Sequence, residues 1–125
     1  MYFGDYLKRL RIEKKIKLRE VANKSGIDVG FLSRVERNIK MPSKPETIEK
    51  LYSALSATEE EKQKLNDLLY LSRGEYPADI KDDLKEYDAI PVLLRTFWGK
   101  KVDNNYIKKL IKKINSDLDE QEEKY

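Results

Sequence analysis

Apolar residues recur every three or four positions along most of the chain, and small groups of Gly, Pro, Ser and Asn interrupt them. That period marks amphipathic helices, and no alternating run suggests a strand. Phe3, Tyr6, Leu7, Leu10 and Lys14 predict a first helix from about Asp5 to Lys15. Leu18, Val21 and Ala22 predict a short second helix that opens at Lys17, and Gly26 can take the left-handed conformation that stops it. Asp28 suits the N-cap of a third helix, Val29 to Arg37, with Leu32 and Val35 inward and Asn38 leaving the helix left-handed. Pro42, Ser43 and Pro45 break the pattern. Ser43 with Glu46 predicts a capping box for a fourth helix carrying Ile48, Leu51, Tyr52 and Leu55. Thr58 with Glu61 predicts another for a fifth, carrying Leu65, Leu68, Leu69 and Leu71 and ending at Gly74.

Beyond Gly74 the register changes. Pro77 opens a helix with Ile80, Leu84 and Tyr87, and Pro91 opens one with Val92, Leu94, Phe97 and Trp98 that stops at Gly99. A last helix from Asp103 places Ile107, Leu110, Ile111, Ile114 and Leu118 on one face and Lys108, Lys109, Lys112 and Lys113 on the other. The expected organisation is a domain over residues 1–73, a helical region over 74–118 and an acidic tail, 119–125, that frays. Tyr6, Tyr52, Tyr70 and Tyr87 fall on apolar faces as core or interface residues.

Composition narrows the chemistry. The chain is 39% hydrophobic and 39% charged with only 5 Gly and 4 Pro, which suits a soluble helical protein. It has no Cys and no His, so disulfides, Cys or His metal clusters and the commonest acid, base and nucleophile chemistry are excluded, and no enzymatic activity is expected. No signal-like or membrane-spanning apolar run occurs, which leads to an expectation of a cytoplasmic protein with no membrane partner. The strings Glu59-Glu60-Glu61 and Asp119-Glu120 read as solvated carboxylates at a helix start and in a tail. Residues 1–56 hold 13 Lys and Arg against 7 Asp and Glu, and the remainder holds 13 against 16. The basic N-terminal half is the candidate nucleic-acid face, although an excess of this size also suits an ordinary solvated surface.

Residues 18–37, LREVANKSGIDVGFLSRVER, place small, turn and apolar residues where two crossed helices need them. Ala22 is small where the helices cross, Gly26 supplies the turn, Ile27 plugs the corner, and Val21, Leu32 and Val35 share a core. This segment resembles the Cro and CI repressor type of helix-turn-helix, also called the XRE family. The resemblance covers about residues 3–56, with Leu10-Arg11, the stretch Phe31-Leu32-Ser33-Arg34-Val35-Glu36-Arg37, and Pro42-Ser43. Asn38 stands where that family often has Gly, and Ser43-Lys44-Pro45 is one residue longer than usual.

The resemblance implies an all-α, lambda-repressor-like helix-turn-helix domain of four to five helices, followed here by a helical C-terminal region. It implies a regulator of transcription bound to double-stranded operator DNA, with no cofactor. Carried over by position, Val29, Gly30, Ser33 and Arg34 face bases, and Phe31 lies beside the sugar-phosphate edge or a thymine methyl. Arg34 can pair bidentately with guanine, or it contacts phosphate or water alone. Gly30 would allow close approach of the helix backbone to DNA. Lys17 and Arg19 sit where a helix N-terminus favours a phosphate. Arg37, Asn38 and Lys40 flank the loop beyond the reading helix, as phosphate contacts or as solvated polar groups. Arg11 and Glu36 match positions that pair in the family as a partly buried ion pair.

The apolar sets of the second half are too many for short helices to bury alone, and dimerisation is the expected use. The interface is assigned to Leu94, Phe97, Trp98, Ile107, Leu110, Ile111 and Ile114 of a homodimer. The run Ile90-Pro91-Val92-Leu93-Leu94-Arg95, with Gly99-Lys100-Lys101 and a closing helix, also resembles regions of XRE repressors that a partner metalloprotease cuts. The alternative is an antitoxin-type protein whose C-terminal helices bind a toxin while its N-terminal domain regulates its own transcription.

Overall fold

Five helices enclose every buried side chain in the described part of the chain. The computed structural model describes residues 1–123, with side-chain surroundings through Asp119, and those residues contain helices and turns but no strand. The helices are α1 (Phe3–Glu13), α2 (Leu18–Ser25), α3 (Val29–Glu36), α4 (Pro45–Ala54), α5 (Glu59–Ser72), α6 (Ala78–Lys81), α7 (Ile90–Gly99) and α8 (Asn104–Glu123). Two units emerge, Met1–Lys81 and Asp82–Tyr125.

In the first unit α1 packs on α3 and α5, and α2 packs on α3 and α4. Phe3, Leu7 and Leu10 of α1, Val21 of α2, Leu32 and Val35 of α3, Leu51, Tyr52 and Leu55 of α4, and Leu65 and Leu69 of α5 are almost wholly buried. Each such Leu or Phe contributes roughly 1.5–3 kcal/mol by leaving water, so this shared interior outweighs any single polar contact. Ile27, Leu18, Phe31 and Leu68 pack at its edge. The Tyr52 hydroxyl donates to Asn66 Oδ1 at 2.8 Å, and burial raises its pKa well above the ordinary phenol value.

Local signals account for most helix ends. Thr58 and Glu61 form the reciprocal capping box at the start of α5. The Ser43–Glu46 box does not form: α4 begins after Lys44 with Pro45 in its first turn and has no side-chain cap. Pro45 has no N–H to satisfy and its φ is already helical, so the helix starts there and not at Ser43. Leu71 is exposed, because it lies on the solvent side of the turn whose inward residues are Leu65 and Leu69. The helix expected from Pro77 to Tyr87 is broken into α6 and a 3-10 turn, Asp83–Glu86. Ile80 and Tyr87 are exposed, so no tertiary burial offsets the cost of nucleating so short a helix. At the other end α8 continues past Leu118 to Glu123, and the last two residues of the acidic tail lie outside the described residues.

Polar contacts tie the corners of the bundle. Lys14 Nζ donates to Ser56 O at 3.0 Å and pairs with Glu61 at 2.7 Å, fastening α1 to the α4–α5 turn. Its hydrogen bond, together with that from the Thr58 N–H, holds the Glu61 carboxyl below its ordinary pKa. Arg73 donates to Pro42 O at 3.0 Å and closes the loop before α4.

The tightest approach is at Gly4. Its N–H donates to Asn38 Oδ1 at 2.8 Å, and a Cβ there would collide with the backbone carbonyls of Val35 and Glu36. Those carbonyls belong to the end of α3 and cannot rotate away. Gly4→Ala is therefore expected to force α1 and α3 apart and to cost about 1–3 kcal/mol, read as a lower urea midpoint with unchanged slope. An unchanged midpoint would show that the junction relaxes freely.

Candidate nucleic-acid interface

α2 and α3 meet across a three-residue corner, Gly26 to Asp28, that the sequence builds from small parts. Ala22 is buried at the crossing, and Gly26 ends α2 at φ 70°. That is left-handed backbone which a side chain would strain. Its N–H and that of Ile27 both return to Ala22 O. Ser25 is buried yet satisfied, because its hydroxyl donates to Val21 O at 2.7 Å. Asp28 then caps α3 by accepting from the Phe31 N–H at 3.1 Å.

The capping carboxylate gives Gly30 a second use. A Cβ on Gly30 would stand 3.0 Å from Asp28 Oδ2, so the bare α-carbon leaves room for the cap. It also places a negative charge at the positive end of α3. By contrast the N-terminus of α2, at Lys17, has no side-chain cap, and its first N–H groups remain open beside Lys17 and Arg19.

Leu32, Val35 and Glu36 turn inward from α3, and Val29, Ser33 and Arg37 share the opposite side at four-residue spacing, next to Gly30 and Arg34. Val29, Arg34 and Arg37 are exposed, and Gly30 and Ser33 are half-exposed. Phe31 is half-buried against the core. Lys17, Arg19, Arg34 and Lys40 are exposed and take part in no ion pair among the described residues. Their charges are available to an anionic surface.

Asn38 is used differently from its neighbours. It takes φ 63° at the exit of α3, and its amide is engaged at both ends, accepting from Gly4 N and donating to Asp5 Oδ1 at 3.0 Å. Asp5 in turn accepts from Tyr2 N at 2.9 Å, and these two hydrogen bonds lower its pKa. Asn38 thus locks α3 to the start of α1, with its amide turned to the fold. Sequence reasoning missed this clasp and its partner Gly4. Nothing local distinguishes that glycine, since its neighbour across the contact is 34 residues away.

A second clasp lies one end of α1 away. Arg11 Nε and Nη2 donate to the two carboxylate oxygens of Glu36 at 2.7 and 3.0 Å, and Nη1 reaches Ile16 O at 3.1 Å. Only 15% and 6% of the two side chains are exposed, so this bidentate pair is largely desolvated.

Residues 3–65 match the pattern that defines the helix-turn-helix domain family. The chain belongs to that family. Over 53 residues it is 40% identical to the HTH-type transcriptional repressor RghR of Bacillus subtilis (strain 168). The matched stretch is 42% of this chain and 39% of that repressor, so the chain spans about two fifths of its relative's length. The helix-turn-helix match encloses α1 to α4 and the first half of α5, which is the part that holds the two clasps, the corner and the exposed side of α3. α7 and α8 lie beyond it, and they carry all the residues assigned from sequence to dimerisation. Among the described residues no group of carboxylates could hold a metal ion, and no helix is long and apolar enough to cross a membrane.

The clasp sets a test of the helix-turn-helix unit. Arg11→Ala leaves the Glu36 carboxylate buried without its partner and is expected to cost about 3–5 kcal/mol, whereas Arg11→Met with Glu36→Leu recovers most of that loss. Urea unfolding of both variants measures it. A single substitution as mild as an exposed one, below about 1 kcal/mol, contradicts the desolvated pair.

Proposed function

We propose that this chain is a sequence-specific, double-stranded DNA-binding transcriptional regulator, a homodimeric repressor acting in the cytoplasm by occupying its operator. The observation that carries the reading is the exposed side of α3, clasped to α1 at two points while Val29, Ser33 and Arg34 remain open to a groove. The name of its relative, a transcriptional repressor, supports the same reading.

In this reading α3 enters the major groove, and Arg34 presents its planar fork to guanine O6 and N7. The uncapped start of α2 receives a phosphate together with Lys17 and Arg19. Lys40 and Arg37 hold the backbone on the far side of the reading helix. Asn38 acts through the clasp and not as a ligand of DNA. Gly30 lets the cap of α3 form at the surface that approaches the bases.

The second unit supplies the two-fold partner. None of its described side chains is buried, and Leu94, Trp98, Ile111 and Ile114 are exposed, Trp98 by 87%. An apolar surface of this kind on so small a unit calls for a covering partner. A second copy provides one and doubles the half-sites read. The open hollow lined by Leu94, Phe97, Trp98 and Lys101 favours a second reading, a toxin or a regulatory protease seated on α7 and α8.

Selection of bound sequences from random DNA tests the reading. Arg34→Ala is expected to lose base preference at one position per half-site, at about 1–3 kcal/mol, while Lys40→Ala weakens all sequences alike and lowers the salt slope by about one. A uniform loss for both variants would reassign Arg34 to phosphate. The chain ending at Lys81 retains every buried side chain and is expected to stay folded, sediment as a monomer and lose operator affinity steeply. Unchanged affinity in that form refutes the dimer reading.

A further inference from the structure

α8 presents an apolar stripe whose outer members, Ile111, Ile114 and Leu118, are each about half exposed, at 52%, 47% and 54%. Ile107 and Leu110 extend the stripe toward the helix start and are partly covered. Its charges are sorted along the axis. Lys108, Lys109, Lys112 and Lys113 occupy the first half with no acidic residue among them, and Asp117 and Asp119 follow in the second half. At roughly 100° per residue, Lys108, Lys112 and Asp119 fall on one flank of the stripe, and Lys109, Lys113 and Asp117 on the other.

We infer that α8 pairs with α8 of a second copy in the antiparallel sense, about a two-fold axis that crosses the stripe near Lys112 and Lys113. This rests on the homodimer reading above and fixes its geometry. The stripe from Ile107 to Leu118 is centred between those two lysines, so an antiparallel partner covers it end to end, with Ile107 level with Leu118 and Ile111 level with Ile114. In antiparallel pairs each flank meets the same flank of its partner. Lys108 then lies roughly 3 Å along the axis from the partner's Asp119, and Lys113 roughly 7 Å from the partner's Asp117, both within reach of a lysine side chain. A parallel pair would set each flank against the opposite one at the same level. Lys108 and Lys112 would face Lys109 and Lys113, and Asp119 would face Asp117, so like charges would cluster along the whole contact. The antiparallel pair also brings Lys112 and Lys113 within roughly 1.5 Å along the axis of the same residues of the partner, but its like charges meet only at the centre and its lysine-rich half lies against the aspartate-bearing half, whereas a parallel pair sets lysines level with lysines and aspartates level with aspartates. The charge order of the helix therefore favours the antiparallel orientation while the apolar stripe supplies the attraction.

The test is charge reversal with rescue in the full chain. Lys108→Glu with Lys113→Glu is expected to weaken the dimer about tenfold or more at low salt, measured by sedimentation equilibrium. Adding Asp117→Lys and Asp119→Lys to the same chain restores the charge order in reverse and is expected to restore the dimer. Reversal without effect, or a fourfold variant no tighter than the double one, overturns the antiparallel pairing. Circular dichroism checks that each variant keeps its helix content. Because the chain has no cysteine, a second measurement is independent of affinity. Ile107→Cys with Leu118→Cys, which the pairing sets level with each other inside the stripe, is expected to be oxidised by air to a disulfide-linked dimer, while either substitution alone is not, and absence of that cross-link also overturns the pairing. A wild-type chain that sediments as a monomer at operator-saturating concentration removes the homodimer reading itself. A dimer that neither responds to reversal nor cross-links removes only this geometry.

Discussion

A helix held to its neighbour at one point can still swivel about it, and a helix held at two cannot. α3 is fixed to α1 by two polar contacts near its own C-terminus, Arg11 with Glu36 and Gly4 with Asn38. Their anchor points on α1 are seven residues apart, roughly 10 Å along a helix. Apolar packing of Leu7, Leu32 and Val35 between them provides adhesion without direction, since dispersion and water exclusion favour close contact at many angles. Directional bonds at both ends of α1 remove the remaining rotation. The Arg11 guanidinium has the heavier duty, for it also binds Ile16 O and thereby sets the turn that launches α2.

The helical period of the sequence made the first five helices legible, and the chemistry of their ends was legible wherever a single residue decides it: Gly26 in left-handed backbone, Asp28 as a cap, Thr58 with Glu61 as a box. It failed where two local signals compete. Ser43 offers a cap and Pro45 offers a ready first turn, and the ring prevailed, so that the helix starts at Pro45. It failed again where periodicity is present but burial is absent, as at Ile80 and Tyr87. The inward side of a pattern is a promise that only a neighbouring surface can keep.

Within the candidate interface the family pattern located α2, α3 and the residues on their outer sides. What it could not supply was the division between residues that face outward and residues that hold the frame. Asn38 sits among Arg37, Ile39 and Lys40 in sequence, and all four are exposed, yet its amide is spent on α1. Gly4 and Ser25 were silent too. The role of Gly4 depends on carbonyl groups that approach from elsewhere in space, of which a one-dimensional pattern carries no record, while Ser25 turns its hydroxyl back to Val21 O within its own helix.

The arrangement of α3 has an evolutionary corollary. The buried side chains of the helix, Leu32, Val35 and Glu36, lie on its inner side with Phe31 packed at the edge, and the outer positions Val29, Ser33 and Arg34 contribute little to the interior. Substitutions on that outer side are close to neutral for stability. In the reading proposed above, a lineage can therefore rewrite them and drift to a new DNA site without first passing through an unfolded intermediate. What the outer side contacts and whether the fold holds are thereby decoupled, and a single scaffold can be copied and diverged on that side alone.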